Sequence, residues 1–540
     1  MMRAAASPAV AVLVTFTAAG WAQEQQAPEV RSSLGVIVTG SGPATAAGLA
    51  MLEAGGNAVD AAVAAAFALA VAEPSQSGIG GRTHLLLRTA AGEFFGLDGW
   101  TEVPAAAINP LAGESDTAYG YATIAVPGTV AALSRALAQY GTLPLARVMA
   151  PAITLAEGGV VLPAGEAGRL ASASRRLREF AGSTRAFLKP NGAPYAAGER
   201  LVQPDLARVL RAVALQGPDV FYRGWIAESI AADMERSGGL VRRGDLAGYR
   251  PDLARVVRGS YRGHELVGTY FPASGVTVIE ALQILENFPL AGLAGGSQWA
   301  GLVARALLAG FADRDDSHRQ PADTTAGRLT SRAWAARRAA DIRAGRLRPS
   351  PPQFDPDHTT HVSVVDQRGT IVALTQSLGP NLGSKVVTPG LGFLYAATMG
   401  YLAARAPGDR PFSSQAPLIV LRDGQPVYVT GGGGGRRIVS ASVAVLSRLI
   451  DQGWPLAAAL AAPRLHPAGD RLMLESGPGT SWPAAARDSL RALGFTVEPV
   501  ADGPYFARLH ALARDTSRQD WIGVADHRWS GVAAGVPARR

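Results

Sequence analysis

Cysteine does not occur anywhere in the 540 residues. Its absence excludes disulfides, thiolate metal sites and a cysteine nucleophile, and it leaves the redox compartment open. Charge is sparse too, at 17% of residues. The formal net charge is +8, yet the basic residues are nearly all arginines scattered through alanine- and glycine-rich sequence. No aromatic-basic stripe or reader motif accompanies them, so a nucleic-acid partner is not expected. The histidines, including His84, His264, His466 and His510, show no metal-ligand spacing. Long apolar runs are also missing. The stretch from Ala9 to Ala19 is short for a spanning helix of about 20 residues. Led by Arg3 and followed by Gly20-Trp-Ala22, it reads as a secretory signal over residues 1–22, which implies a periplasmic or secreted protein; the alternatives are an untrimmed disordered start or a membrane anchor.

What is present can bury a large core. Hydrophobic residues make up 48% of the chain, which suits one intimately packed unit or two to three ordinary domains. Residues 36–39 predict a strand and residues 43–53 and 58–72 predict helices, the second capped by Asn57; residues 84–88 and 94–97 predict a hairpin pair. From about residue 130 to 348 the pattern is mainly helical, with loops at 189–192 and 270–275. Strands return after Thr359: residues 417–421 and 426–430 flank the turn Arg422-Asp-Gly-Gln425, and residues 438–449 predict a helix.

Thr359 is the residue with the most chemistry around it. A threonine hydroxyl needs a base within hydrogen-bond reach, and one known solution is the residue's own free α-amino group. That solution requires a chain break before it. The upstream segment Arg348-Pro-Ser-Pro-Pro-Gln-Phe-Asp-Pro-Asp-His358 reads as an exposed, non-helical loop. Downstream, the β-branched runs 361–365 and 371–377, joined by Asp366-Gln-Arg-Gly369, place the threonine at the mouth of a hairpin strand. The run Gly431 to Gly435 before a helix is the second feature. Backbone N–H groups free of Cβ crowding can face a developing oxyanion; the alternatives are a phosphate cradle or a plain turn. A Walker loop is disfavoured because Arg436-Arg437 follows instead of Gly-Lys-Ser/Thr.

These residues resemble the γ-glutamyltransferase family of N-terminal nucleophile hydrolases. Thr359-Thr-His-x-Ser-Val-Val-Asp366 is similar to the start of that family's small subunit. Gly55-Gly-Asn-Ala-Val-Asp-Ala-Ala62, Glu73-Pro-x-x-Ser-Gly-Ile-Gly-Gly81, Val126-Pro-Gly-Thr129, Tyr140-Gly-Thr-Leu-Pro144, Gly217-Pro-Asp-x-Phe-Tyr222 and Ser413-Ser414 follow the family's order. The resemblance implies an α/β fold, a four-layer αββα sandwich, made as one chain and self-cleaved between His358 and Thr359 into two interwoven subunits. Residues 23–358 would be the large subunit and residues 359–540 the small, catalytic one. It further implies that Thr359 is the nucleophile, that Gly434 and Gly435 form the oxyanion hole, and that Ser377 stands where a second threonine supports the nucleophile; an ordinary strand serine is the other reading. Thr360 is read as supportive, its hydroxyl positioning the new terminus or its side chain packing in the strand, and His361, for which a catalytic base is the other reading, as structural because the resemblance assigns the base to the terminal amine. The family uses no metal, and no cofactor is expected.

The departures bear on substrate. A γ-glutamyl site holds an α-carboxylate and an α-amino group with an arginine, a serine pair, an asparagine and acidic or amide residues. Ser413 and Ser414 remain as substrate-binding candidates. Trp100 stands at the arginine position, Gly379 at the asparagine and Tyr401 at the acidic partner of the amine, while Arg82-Thr-His84 replaces a glycine stretch. An indole for a guanidinium removes a charge-assisted bond of about 1.5 to 3 kcal/mol and adds an aromatic wall. Arg82 and Arg436 are candidates for a relocated carboxylate contact, against the alternative of solvated surface arginines. The expected function is a self-processed amidohydrolase or acyltransferase acting on a small-molecule amide, with water or an amine as acceptor and an acyl group other than standard γ-glutamyl. The alternatives are a true γ-glutamyltransferase and glutathione hydrolase, or a non-catalytic periplasmic binding protein on the same fold.

Overall fold

Two apolar runs separated by a short polar connection form the hairpin at the centre of the molecule. The strands His358–Asp366 and Ile371–Gly379 pair antiparallel, with Val362 opposite Leu374 and Val364 opposite Val372. Asp366 closes the connection, its Oδ1 accepting from the backbone N–H groups of Arg368 and Thr370. The computed structural model describes residues 29–107, 119–293, 296–317, 320, 322–347, 358–400, 406–477, 479–501 and 505–538. The expected signal segment 1–22 and Tyr401 lie outside the described residues.

The hairpin lies inside a seven-stranded sheet ordered Val532–Gly535, Gly35–Thr39, His358–Asp366, Ile371–Gly379, Arg82–Arg88, Phe94–Gly99, Asp252–Ala254. All its neighbours are antiparallel. A second sheet runs Val30–Ser32, Asp520–Ala525, Arg508–Asp515, Gln425–Thr430, Leu418–Arg422, His264–Thr269, Val256–Tyr261, with the short strand Gly432–Gly433 paired to Arg508–Asp515. Because side chains alternate along a strand, each sheet offers two apolar faces. Val36, Val38, Val365, Ile371 and Ala373 meet Val267, Ile419, Val429 and Leu512 between the sheets. On the outer face of the first sheet, Ile37, Leu85, Val362 and Val372 pack with helices Gly42–Glu53 and Ala58–Ala72. On the outer face of the second, Leu266, Leu418, Val420 and Leu509 pack with helices Gly275–Leu285, Ser297–Asp316 and Arg437–Asp451. The result is the expected αββα sandwich.

Helix Ala58–Ala72 is buried along its whole length. Its start is held by a capping box: Asn57 accepts from the N–H groups of Val59 and Asp60, and Asp60 accepts from the N–H of Asn57. One expectation needs correction. The region 130–348 is not helical throughout; it supplies the strands Asp252–Ala254, Val256–Tyr261 and His264–Thr269. The last two form a hairpin whose two-residue turn, Arg262-Gly263, adopts positive φ at both positions (50° and 78°), the backbone that matches strand twist.

Candidate active site

Thr359 is buried, with 5% of its surface exposed, on the face of its strand that looks toward the second sheet. The pairing register shifts between His358 and Thr359, so that His358 faces Gly379 and Thr359 faces Ser377. This bulge brings three groups onto one hydroxyl. Thr359 Oγ1 donates to Ser377 Oγ at 3.0 Å, Ser377 Oγ donates to the carbonyl oxygen of His358 at 2.8 Å, and the Gly379 N–H donates to Ser377 Oγ at 2.9 Å. The Ser377 oxygen thus links the Thr359 alcohol to the carbonyl one residue upstream.

The glycine run packs directly against this point. A Cβ on Gly433 would stand 1.8 Å from the carbonyl oxygen of Thr359, and one on Gly431 would stand 2.1 Å from the His361 ring. Only glycine permits either approach. Gly434 and Gly435 follow with φ of +137° and +61°, immediately before helix Arg437–Asp451. The loop is thus a tight turn laid on the Thr359 backbone, not an open phosphate cradle. Arg437 Nε donates to the Gly434 carbonyl at 2.9 Å, which fixes the direction of that peptide.

His361 is engaged on both ring nitrogens, Nδ1 with Thr375 Oγ1 at 2.7 Å and Nε2 with Ser363 Oγ at 3.0 Å. Burial holds its pKa well below the usual histidine value, so it stays neutral between the sheets. That geometry agrees with a structural role. His84, likewise pushed down to about 3 by burial, bonds Thr269 Oγ1 across the inter-sheet layer at 2.8 Å.

The serine pair sits under the second sheet's helices. The Gln415 N–H donates to Ser413 Oγ at 3.0 Å, and Arg314 Nη1 donates to Ser414 Oγ at 2.9 Å. Arg436 is buried and paired with Asp315 at 2.5 Å, so it is not a solvated surface arginine. Arg82 is buried too, with its guanidinium 4.5 Å over the ring of Trp100. Trp100, the indole at the altered position, is fully buried; its backbone carbonyl accepts from Tyr249 Oη at 2.6 Å.

Several nearby groups escaped sequence reasoning. Arg508 Nη2 donates to the Thr359 carbonyl at 3.4 Å, and its guanidinium stacks 5.2 Å from the centroid of Trp529. Trp529 Nε1 donates to Glu73 Oε1 at 2.5 Å. Glu73 is fully buried, and desolvation raises its pKa. Glu166, bonded to Ser75 Oγ at 2.5 Å, is pushed up to about 7 by burial and then by the charge of Glu73. Glu73 opens a motif visible in the sequence, but no local pattern announces Arg508, Glu166 or Trp529 as its neighbours.

Residues 44–536 match the sequence profile of gamma-glutamyltranspeptidase. A glutathione hydrolase proenzyme of a Pseudomonas species (strain A14) is 35% identical over 477 residues, which covers 82% of each chain. The acylase ACY 1 proenzyme of another Pseudomonas species (strain SE83) is 36% identical over 494 residues, covering 86% of this chain and 87% of its own. Among solved structures, a cephalosporin acylase from Bacillus halodurans superposes with a TM-score of 0.86 at 27% identity, covering 96% of this chain and 98% of its own.

Proposed function

The chain belongs to the gamma-glutamyltranspeptidase family of amide hydrolases and acyltransferases, and on that premise we propose that it cuts itself between His358 and Thr359 and then uses Thr359 as an N-terminal nucleophile on an acyl group other than γ-glutamyl. One observation carries the reading: the hydroxyl chain from Thr359 through Ser377 to the His358 carbonyl.

In the first step, Thr359 Oγ attacks the His358 carbonyl carbon. Its proton passes to Ser377, whose own proton moves to the carbonyl oxygen, so the tetrahedral centre forms without a separated charge. The bond from that carbon to the Thr359 nitrogen then breaks as the nitrogen takes up a proton. An ester and a free amine result, and water releases the His358 carboxylate. In turnover, the freed amine accepts the Oγ proton while Oγ attacks the substrate amide. The Gly434 and Gly435 N–H groups receive the oxyanion, and water or an amine resolves the acyl-enzyme.

Two features support an acyl group other than γ-glutamyl. Trp100 occupies the position of the family's arginine, and Gly379 has no side chain to bind an amine. The resemblance to acylases fits the same view. A true glutathione hydrolase is the second reading, favoured by the retained Ser413-Ser414 pair and by the Pseudomonas relative of that name. Denaturing electrophoresis with intact-mass analysis tests the first claim: two pieces divided before Thr359 are expected, with Thr359→Ala left as one chain. A single unbroken chain in active material would sink it. A substrate panel tests the second, and strong preference for a γ-glutamyl anilide would move the protein to glutathione hydrolase.

A further inference from the structure

We propose that a cleft on the first sheet's side of the molecule binds an amphiphilic carboxylate, an anionic head on an aliphatic body of the fatty-acid kind. The cleft has a volume of about 890 Å³ and lies between helix Thr129–Tyr140, the turn 141–144 that follows it, and segments 218–223 and 249–251. None of its lining residues belongs to the groups around Thr359, so the inference stands independently of that residue's role.

Size and lining set the body of the ligand. The volume falls within the range of about 300 to 1,000 Å³ usual for small-molecule sites. Leu137, Leu143, Pro144, Leu145 and Pro218 give the cleft an aliphatic wall. Tyr222 and Tyr249 extend it, stacked with ring centroids 5.6 Å apart and planes at 11°. Both hydroxyls are spent on the protein. Tyr222 Oη donates to the Pro127 carbonyl at 2.9 Å and accepts from the Ala131 N–H at 3.1 Å, while Tyr249 Oη donates to the Trp100 carbonyl at 2.6 Å. The rings therefore offer the cleft apolar surface, and a wholly polar ligand would lose water there without gaining partners.

Charge sets the head. Arg135, Arg223 and Arg250 line the cleft against one carboxylate, Asp219, which is paired with Arg223. Arg135 and Arg250 donate to backbone carbonyls and to no carboxylate among the described residues: Arg135 to Pro251, Arg250 to Ala247 and Tyr249. Arg223 Nη2 and Arg250 Nη1 share the Ala247 carbonyl, at 2.9 and 3.0 Å, so two guanidinium groups converge on a single oxygen. Like charges held that close repel one another. A ligand carboxylate beside them would relieve the repulsion and accept charge-assisted bonds from the guanidinium N–H groups left over. Arginine keeps its charge at every accessible pH, so the attraction does not depend on titration. A bare anion would meet the same cations, but only a ligand with an apolar body uses the wall as well.

Calorimetric titration of the purified protein with decanoate, 1-decanol, acetate and inorganic phosphate tests the site. Decanoate is expected to bind at least about ten-fold tighter than decanol, with acetate and phosphate giving no binding heat at the same concentrations. Arg250 and Ala138 both line the cleft and are exposed. Arg250→Ala should weaken decanoate by about ten-fold and leave decanol unmoved, whereas Ala138→Trp, which fills the cleft, should weaken both. Equal binding of decanoate and decanol, phosphate binding as tight as that of decanoate, or decanoate binding that neither variant moves overturns the proposal. If either variant melts below the parent protein, a crystal of the unaltered protein soaked with 11-bromoundecanoate decides the matter: bromine density in this cleft upholds the site, and density elsewhere or none overturns it.

Discussion

Ser377 donates its hydroxyl to the carbonyl oxygen of His358 at 2.8 Å, so the bond proposed for scission is polarised by a residue from the neighbouring strand. The same oxygen accepts from Thr359. Ser377→Ala removes both links at once. Loss of one oxyanion donor costs about 10²- to 10³-fold in rate, and self-cleavage of freshly made precursor should slow by about that factor. Ser377→Thr restores a hydroxyl and should mature nearly as fast as the parent chain. A mass-spectrometric time course of precursor and pieces reads both.

Gly433 lies where no side chain can. The Cβ of Gly433→Ala would meet the Thr359 carbonyl oxygen at 1.8 Å, so either the glycine loop or the nucleophile strand must move. Gly433→Ala should accumulate as uncut chain with a lowered melting temperature. Gly168 provides the contrast: it sits inside helix Ala164–Leu177, and a Cβ there meets nothing within 4 Å. Gly168→Ala should raise stability by about 0.5 to 1 kcal/mol, as helix propensity alone dictates.

The Glu73 and Glu166 carboxylates give a stability that depends on pH. Glu166 has its folded pKa raised to about 7 from the ordinary glutamate value of 4.5. Between these values the folded state binds more protons than the unfolded state, so stability is highest below about 4.5 and is lost as pH rises toward 7. Glu166→Gln carries no such charge and escapes that loss. Its melting temperature should gain on the parent protein across this window and hold the gain above pH 7, where the difference amounts to roughly 3 kcal/mol. Thermal melts at pH 4.5, 6 and 8 are sufficient; a constant offset between the two proteins would show that the acid does not titrate as assigned.

A buried ion cluster ties Arg528 to the strand Arg471–Glu475 and to Asp526, which follows the second sheet's strand Asp520–Ala525. Arg528 donates to Glu475 at 2.7 Å and to Asp526 at 2.9 Å, while Arg464 donates to Asp526 at 2.6 Å, with every side chain at 2% exposure or less. Arg528→Leu leaves Glu475 without its cation in a water-free place, and removal of one partner of a buried pair costs about 3 to 5 kcal/mol. Denaturant unfolding should show that loss. A shift under 1 kcal/mol would mean that water reaches the cluster.

The sequence announces the local features of this fold because their causes are local. Helix 58–72 follows from Asn57, its capping partner Asp60 and a run of mostly small apolar residues, and the central hairpin from two β-branched runs about a polar turn. The strands Val256–Tyr261 and His264–Thr269 stayed hidden because they are short and lie in a mainly helical stretch, and nothing nearby states that His264–Thr269 borders Leu418–Arg422, which lies some 150 residues onward. The αββα layering itself was legible only through the family resemblance. At the site, Thr359, Ser377 and the glycine run could be named from neighbouring residues. Arg508 could not, since its tie to the Thr359 carbonyl spans 149 positions. Nor could the Arg82–Trp100 stack, which depends on the register of two strands.

Each of the two large sheets contains strands from both sides of the His358–Thr359 bond, the one proposed for scission. Once that bond is gone, the two pieces share hydrogen-bond ladders that were laid down when they were still covalently joined. Folding instructions that relied on the tether are thereby erased after use. A mature molecule that is unfolded should separate into fragments unable to find each other again, so its lifetime is governed by the height of the unfolding barrier and not by an equilibrium.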